Sequence, residues 1–222
     1  MLKANSMKPI SLAVALCLTL IGAVSLQAQD EKAKAILDEL STKTRKYHSI
    51  TSDFEFVLED KMADLRQSQE GVLKMQGKKF QIRIGDNTVY SDGDTRWTYN
   101  EDMNEVYIDH ANSGEEAINP TEIYTIWETG FKHYYNGEVD LNGQKHHLIK
   151  LNPKSPEDKT YHTVNIFINS AKMEVSKMEI KGKQGDDYTY MVKSFKTDKD
   201  YPASTFVFNK GDFPGVEEID NR

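Results

Sequence analysis

The spacing of apolar and polar positions changes several times along the chain, and each change marks an element. Ile10 to Val24 is a nearly unbroken apolar run, interrupted by Ser11, Thr19 and one glycine. Lys3 and Lys8 stand before it, and Ala23-Val24-Ser25-Leu26-Gln27-Ala28-Gln29 follows. A positive start, a short apolar centre and a small-residue exit predict a secretory signal peptide over residues 1–29. The run falls short of the ~20 residues that span a bilayer, so a retained anchor is the competing reading. Cleavage is expected between residues 25 and 30. Ala28 suits the position before the cut, Leu26 two places earlier does not, and Ala23 with Ser25 offers a rival site.

Residues 30–48 then switch to helical spacing. Ala33, Ile36, Leu37, Leu40 and Tyr47 share one stripe, acids open the segment, and Arg45 and Lys46 close it. From Phe54 the period becomes two: Phe54, Phe56 and Leu58, then Val72, Leu73 and Met75, then Phe80, Ile82 and Ile84. The charged stretch Glu59 to Glu70 reads as a hairpin connection with strand ends. Gly77, Gly85-Asp86-Asn87 and Asp92-Gly93-Asp94 supply turns between short strands at Val89-Tyr90, Arg96 to Tyr99 and Val106 to Ile108. Asn119-Pro120-Thr121-Glu122 predicts a second helix, with Ile123, Ile126, Trp127 and Phe131 on its apolar face and Gly130 at its end. Further strands are expected around Tyr134-Tyr135, Val139–Leu141, His147–Leu151, Tyr161–Ile168, Val175–Ile180, Tyr188–Phe195 and Thr205–Phe208, with Asn142-Gly143 as a two-residue hairpin turn.

The pattern amounts to about eleven strands and two main helices, which predicts an antiparallel sheet with one apolar face. Two helices are too few to cover such a face if it is flat. The expected architecture is therefore mainly β with helices: a half-open antiparallel β-barrel with a helical lid, one domain over residues 30–222.

Composition narrows the function. Without Lys3 and Lys8, 26 basic residues face 35 acidic ones, a net charge of −9. That argues against nucleic acid, whose phosphates need clustered Lys and Arg. Cys17 is the sole cysteine and lies inside the first apolar run behind Leu16, so a disulfide, a thiolate nucleophile and lipidation of this chain are not expected. No Gly-x-Ser-x-Gly, phosphate loop or dinucleotide fingerprint occurs. No metal site or cofactor is expected either. His146 and His147 are adjacent on a strand and point to opposite faces, whereas zinc needs three or four convergent ligands. Asp92-Gly93-Asp94 and Asp186-Asp187 read more simply as turns than as acid/base pairs. The aromatic residues of successive strands have two readings, ordinary core or a lined apolar pocket.

Ser91-Asp92-Gly93-Asp94-Thr95-Arg96-Trp97-Thr98-Tyr99-Asn100 resembles the Ser-Asp-Gly-x-Thr-x-Trp-x-Tyr-Asn segment of the LolA-type outer-membrane lipoprotein carriers. Tyr47 to Phe54 resembles the family's helix-to-strand passage, Gly71-Val72-Leu73 with Phe80 its next hairpin, and Ala203 to Phe208 with Pro214-Gly215-Val216 its final strand and tail. The resemblance implies a non-enzymatic periplasmic shuttle that takes an acylated lipoprotein from an inner-membrane ATP-driven release complex to the outer membrane, working as a monomer. It implies acyl chains held against Phe54, Phe56, Leu73, Phe80, Ile82, Trp97, Tyr99, Ile123, Ile126 and Trp127. One position departs: Gln76 stands where the family often has a basic residue associated with lid closure. The alternative reading is an envelope lipid-sensing or scaffold domain of the same fold, and a third is a secreted hydrolase with dispersed acids.

Overall fold

The computed structural model describes residues 30–111 and 124–222. The expected signal peptide with Cys17, the helix entry at Asn119 to Glu122 and Ile123 lie outside the described residues. Helix α1 covers residues 30–44. The strands are β1 (Ile50–Asp60), β2 (Leu65–Gln76), β3 (Lys79–Ile84), β4 (Asn87–Ser91), β5 (Thr95–Asn100), β6 (Glu105–His110), β7 (Phe131–Leu141), β8 (Gln144–Pro153), β9 (Tyr161–Asn169), β10 (Glu174–Gly182), β11 (Asp186–Thr197) and β12 (Glu217–Asp220). All twelve belong to one sheet, ordered β12-β6-β5-β4-β3-β2-β1-β11-β10-β9-β8-β7. Neighbours are antiparallel except β12, which runs parallel to β6. The sheet curls but does not close, so the half-open barrel expected from the pattern is what forms.

Strand alternation fixes the two faces. Phe80 pairs with Met75 and Ser91, Ile82 with Leu73, and Phe54 with Gly71, which places Phe54, Leu73, Met75, Phe80 and Ile82 on one side. Across the sheet the same side carries Met178, Ile180, Val164, Ile166, Ile149 and Leu151. These residues form one buried cluster with Ala33, Ile36, Leu37 and Leu40 of α1. The helical stripe therefore covers the concave face and removes its apolar surface from water.

Bulges let β10 and β11 keep their apolar residues inside. Ser194 pairs with Asp53 but Val192 with Phe54, so Lys193 is an extra residue in the ladder. Tyr188 and Tyr190 lie on one side of that step and Phe195 on the other, yet all three pack against the same cluster. The β7–β8 turn follows its sequence signal. Asn142 and Gly143 have φ of 55° and 77°, and Asp140 Oδ1 accepts the Gly143 N–H at 2.8 Å.

Three local expectations are corrected. Thr205–Phe208 is not the final strand: Ala203–Phe206 is a 3-10 turn, Phe206 and Phe208 are buried, and the last strand is β12. Within the described part of the second helix there is only the 3-10 turn Ile126–Glu128. Tyr124 just before it is buried with Ile126 and Trp127, and the backbone is extended again at Thr129, with φ of −139° and ψ of 155°, so no further helical turn forms. Asp186 and Asp187 open β11 instead of forming its turn. The hairpin connection with strand ends expected over Glu59 to Glu70 is found there: residues 61–64 make the connection, and β1 and β2 stay paired from Asp60↔Leu65 onward.

A second, smaller cluster sits on the opposite face. Tyr99 and Val106 pack there with Phe208 and Val216 of the C-terminal segment, and Tyr90, Trp97 and Phe213 border them. The segment then adds β12 to the edge of β6, so the tail covers part of the convex face and one end strand.

Candidate functional site

A cavity of about 940 Å³ opens between the concave face and the segment that precedes β7. Its walls come from four places. Phe56 of β1 and Tyr188 and Tyr190 of β11 form one wall, and Ile180 of β10 and Tyr161 of β9 continue it. Thr125 to Phe131 crosses above, and Glu157 to Thr160 borders the opening. The rings sit close: the Phe56 centroid is 5.0 Å from Tyr190 and 6.0 Å from Tyr188, and Phe131 stacks on Tyr161 at 6.4 Å. Burial pushes the Tyr190 hydroxyl up to about 12. Tyr124, buried beside the crossing segment, is pushed up to about 12 by the same cause.

The crossing segment is fastened at three polar points. The indole N–H of Trp127 donates to Ser41 Oγ of α1 at 2.8 Å, in a buried setting. Arg45 Nη2, at the end of the helix, is 2.7 Å from Glu128 Oε2. His133 Nε2 lies 2.7 Å from the Trp127 carbonyl oxygen. Gln76, which stands where the resemblance led to a basic residue, instead faces His48, Nε2 to Nε2 at 3.0 Å. The cation that meets the crossing segment is Arg45.

Of the ten expected lining residues, Phe56 and Ile126 border the cavity directly. Phe54, Leu73, Phe80, Ile82 and Trp127 lie in the buried cluster behind it. Trp97 and Tyr99 are not brought to it. Arg96, not Trp97, pairs with Ser91 on the Phe80 side, so Trp97 and Tyr99 point to the convex face and pack near the C-terminal segment. Ile123 lies outside the described residues. Sequence reasoning left Tyr188, Tyr190, Tyr161 and Ile180 off the lining. The alternation Tyr188-Thr189-Tyr190 was the available signal, a period-two aromatic pair on a strand.

The other candidate chemistry resolves into structure. Asp92 Oδ1 accepts from the N–H groups of Asp94 and Thr95 at 2.9 and 2.8 Å, a side-chain-closed turn. Asp187 is nearly buried, its Oδ2 2.7 Å from Lys61 Nζ and 3.1 Å from Lys181 Nζ. Burial alone pushes its carboxyl up, but the bonds from the two ammonium groups outweigh that and hold it below the ordinary range. His146 and His147 part as strand neighbours do: His146 Nε2 meets Ser176 Oγ at 2.9 Å, and His147 Nδ1 meets the Tyr135 hydroxyl at 3.3 Å. Among the described residues no three His, Cys, Asp or Glu side chains group to hold a metal ion. No helix among them is long and apolar enough to cross a membrane.

A family model described as the outer membrane lipoprotein carrier protein LolA matches residues 45–209. No curated protein matches the chain. Among solved structures, an uncharacterized conserved protein from Thermus thermophilus is similar at 11% identity and a TM-score of 0.57, over 86% of this chain and 99% of that one. A putative outer membrane lipoprotein-sorting protein domain from Vibrio parahaemolyticus aligns at 12% identity with a TM-score of 0.48, over 83% and 99% of the two chains. LprF from Mycobacterium bovis aligns at 10% identity and 0.48, over 78% and 96%. At these identities the first likeness shows a common fold.

Proposed function

The chain belongs to the outer membrane lipoprotein carrier (LolA) family, and from that premise we propose that it is a periplasmic carrier holding the acyl chains of lipoproteins between the curled sheet and its covering elements. The observation that carries this reading is the cavity of about 940 Å³ walled by Phe56, Ile126, Phe131, Ile180 and Tyr190. Pockets for apolar ligands are concave, largely preformed and roughly 300–1,000 Å³, and this one lies at the upper end.

No catalysis is required of such a protein. Each methylene moved out of water contributes ~0.8 kcal/mol, so an acyl chain of about sixteen carbons offers on the order of 10 kcal/mol before the costs of association. Residues 1–29 act as the export signal in this scheme, and residues 30–222 as the carrier domain. Phe54, Leu73, Phe80, Ile82 and Trp127 form the floor that longer or additional chains reach when α1 and the crossing segment give way. An inner-membrane release complex is the donor, and the outer membrane receives the cargo.

The test is native mass spectrometry of the protein purified from envelope extracts, with lipid extraction of what accompanies it. A bound triacylated lipoprotein is the expected result, and Phe56→Glu should reduce its recovery at least tenfold. A protein that arrives empty and also fails to take up added lipoprotein would end the carrier reading.

A further inference from the structure

The cavity has a chemically uneven outline. Its walls combine aromatic and aliphatic side chains with Thr125, Thr129 and Thr160, and four carboxylates, Glu128, Glu157, Asp158 and Asp186, border it together with the ammonium group of Lys159. Arg45 neutralises Glu128 at 2.7 Å. Asp186 Oδ2 accepts a hydrogen bond from the Tyr188 hydroxyl at 2.7 Å. Among the described residues Glu157 and Asp158 are in no ion pair. Both are exposed, in the 3-10 turn Pro156–Asp158 at the solvent end of the cavity. Three carboxylates without an ion-pair partner thus stand with two cations where the cavity meets water: Lys159, and Lys183, whose Nζ donates to the Pro156 carbonyl.

An acyl ligand buries its chains and leaves its head at that opening. We propose that Glu157, Asp158 and Asp186 make the opening selective for acyl ligands whose head carries net positive charge beside the chains, and disfavour anionic heads. This rests on the carrier reading. The physical ground is long-range attraction at an exposed rim, which discriminates between partners more than it strengthens binding. It is independent of chain length, because the chains contact the rings and the head contacts the rim. Two sources share the chemistry: a lipopeptide with basic residues after its acylated cysteine, and a diacyl lipid with a quaternary ammonium head.

The experiment measures binding of four detergent-dispersed probes to the purified protein by fluorescence displacement. They are a tripalmitoylated cysteine peptide continuing with one serine and four lysines, the same peptide with four glutamates, a diacyl trimethylammonium lipid and a diacyl phosphatidylglycerol. The lysine peptide should bind about tenfold tighter than the glutamate peptide, given several exposed charges of modest individual effect. The ratio should fall toward one as salt rises from 0.1 M to 1 M, where the screening length shrinks from about 10 Å to about 3 Å. E157Q/D158N should cut the ratio to about a third. If the ammonium lipid shares the preference over phosphatidylglycerol, head charge is read whatever carries it. If only the peptides differ, a peptide segment is read. Equal binding of both peptides, or a ratio untouched by E157Q/D158N, overturns the selectivity. Failure of all four probes to bind overturns the carrier reading itself.

Discussion

Replacing Trp127 by phenylalanine tests how the segment over the cavity is held. Trp127 is 1% exposed and its indole N–H donates to Ser41 Oγ at 2.8 Å, while Ser41 is itself only 8% exposed. W127F removes the donor, orphans the serine hydroxyl and leaves space where the larger ring was. An unsatisfied buried polar group costs about 1–3 kcal/mol, and the lost ring atoms add about 1 kcal/mol, so about 2–4 kcal/mol is expected. S41A orphans the indole N–H instead, for about 1–3 kcal/mol. The double variant has no orphan on either side, so it should be more stable than the sum of the singles implies by about 1 kcal/mol or more. Urea unfolding followed by circular dichroism gives all three values; tryptophan fluorescence is unsuitable because the chain has only two tryptophans. If the two single effects add within about 0.3 kcal/mol, the bond does not couple α1 to the segment, and the fastening is assigned to the wrong contacts.

Three further outcomes follow from the same packing. Gly71→Ala puts a Cβ 2.5 Å from Cε2 of the Phe54 ring, which lies over the glycine; the overpacking should cost about 1–3 kcal/mol, and Phe54→Leu in the same chain should relieve most of it in a chemical denaturation series. Asp187→Asn should lower stability at pH 7 by about 1–2 kcal/mol, given partners that are themselves half exposed. Because the folded Asp187 carboxyl titrates below its unfolded value of about 3.9, the parent protein keeps this contribution above that value and loses it as the pH falls through the lower folded one. The gap between parent and variant should therefore close in acid; a gap constant from pH 7 to pH 3 refutes the assignment. Phe213→Leu loosens the convex-face cluster, where the Phe213 ring stands 4.4 Å from Tyr99 and 4.6 Å from Phe208. It should cost about 1 kcal/mol and leave acyl uptake by the concave face unaltered, as equilibrium binding of the lysine peptide will show.

The chain alone determined whatever depends on local periodicity. The stripe Ala33, Ile36, Leu37 and Leu40 has helical spacing whatever it packs against, and it is the buried face of α1. The alternation at Phe54, Phe80 and Ile82 defined strands with one apolar face, and Asn142-Gly143 set its turn because it tolerates two consecutive positive φ angles. Such signals sufficed to reach an open sheet under a helix. They did not say which face each strand turned inward. Trp97 and Tyr99 alternate as regularly as Phe80 and Ile82, and only the register through Ser91↔Arg96 sends them to the convex side. The same limit hid Tyr188, Tyr190 and Phe195. Their parity conflicts in sequence and is reconciled by one extra ladder residue at Lys193. Strand pairing is non-local, and a one-residue step reverses every side chain beyond it. Nor does any periodicity bring Glu157, Asp158 and Asp186 to one opening: they meet because β9, β10 and β11 are neighbours, with Tyr161 opposite Gly182 and Lys181 opposite Asp187, and that pairing is decided between strands and not within any one of them.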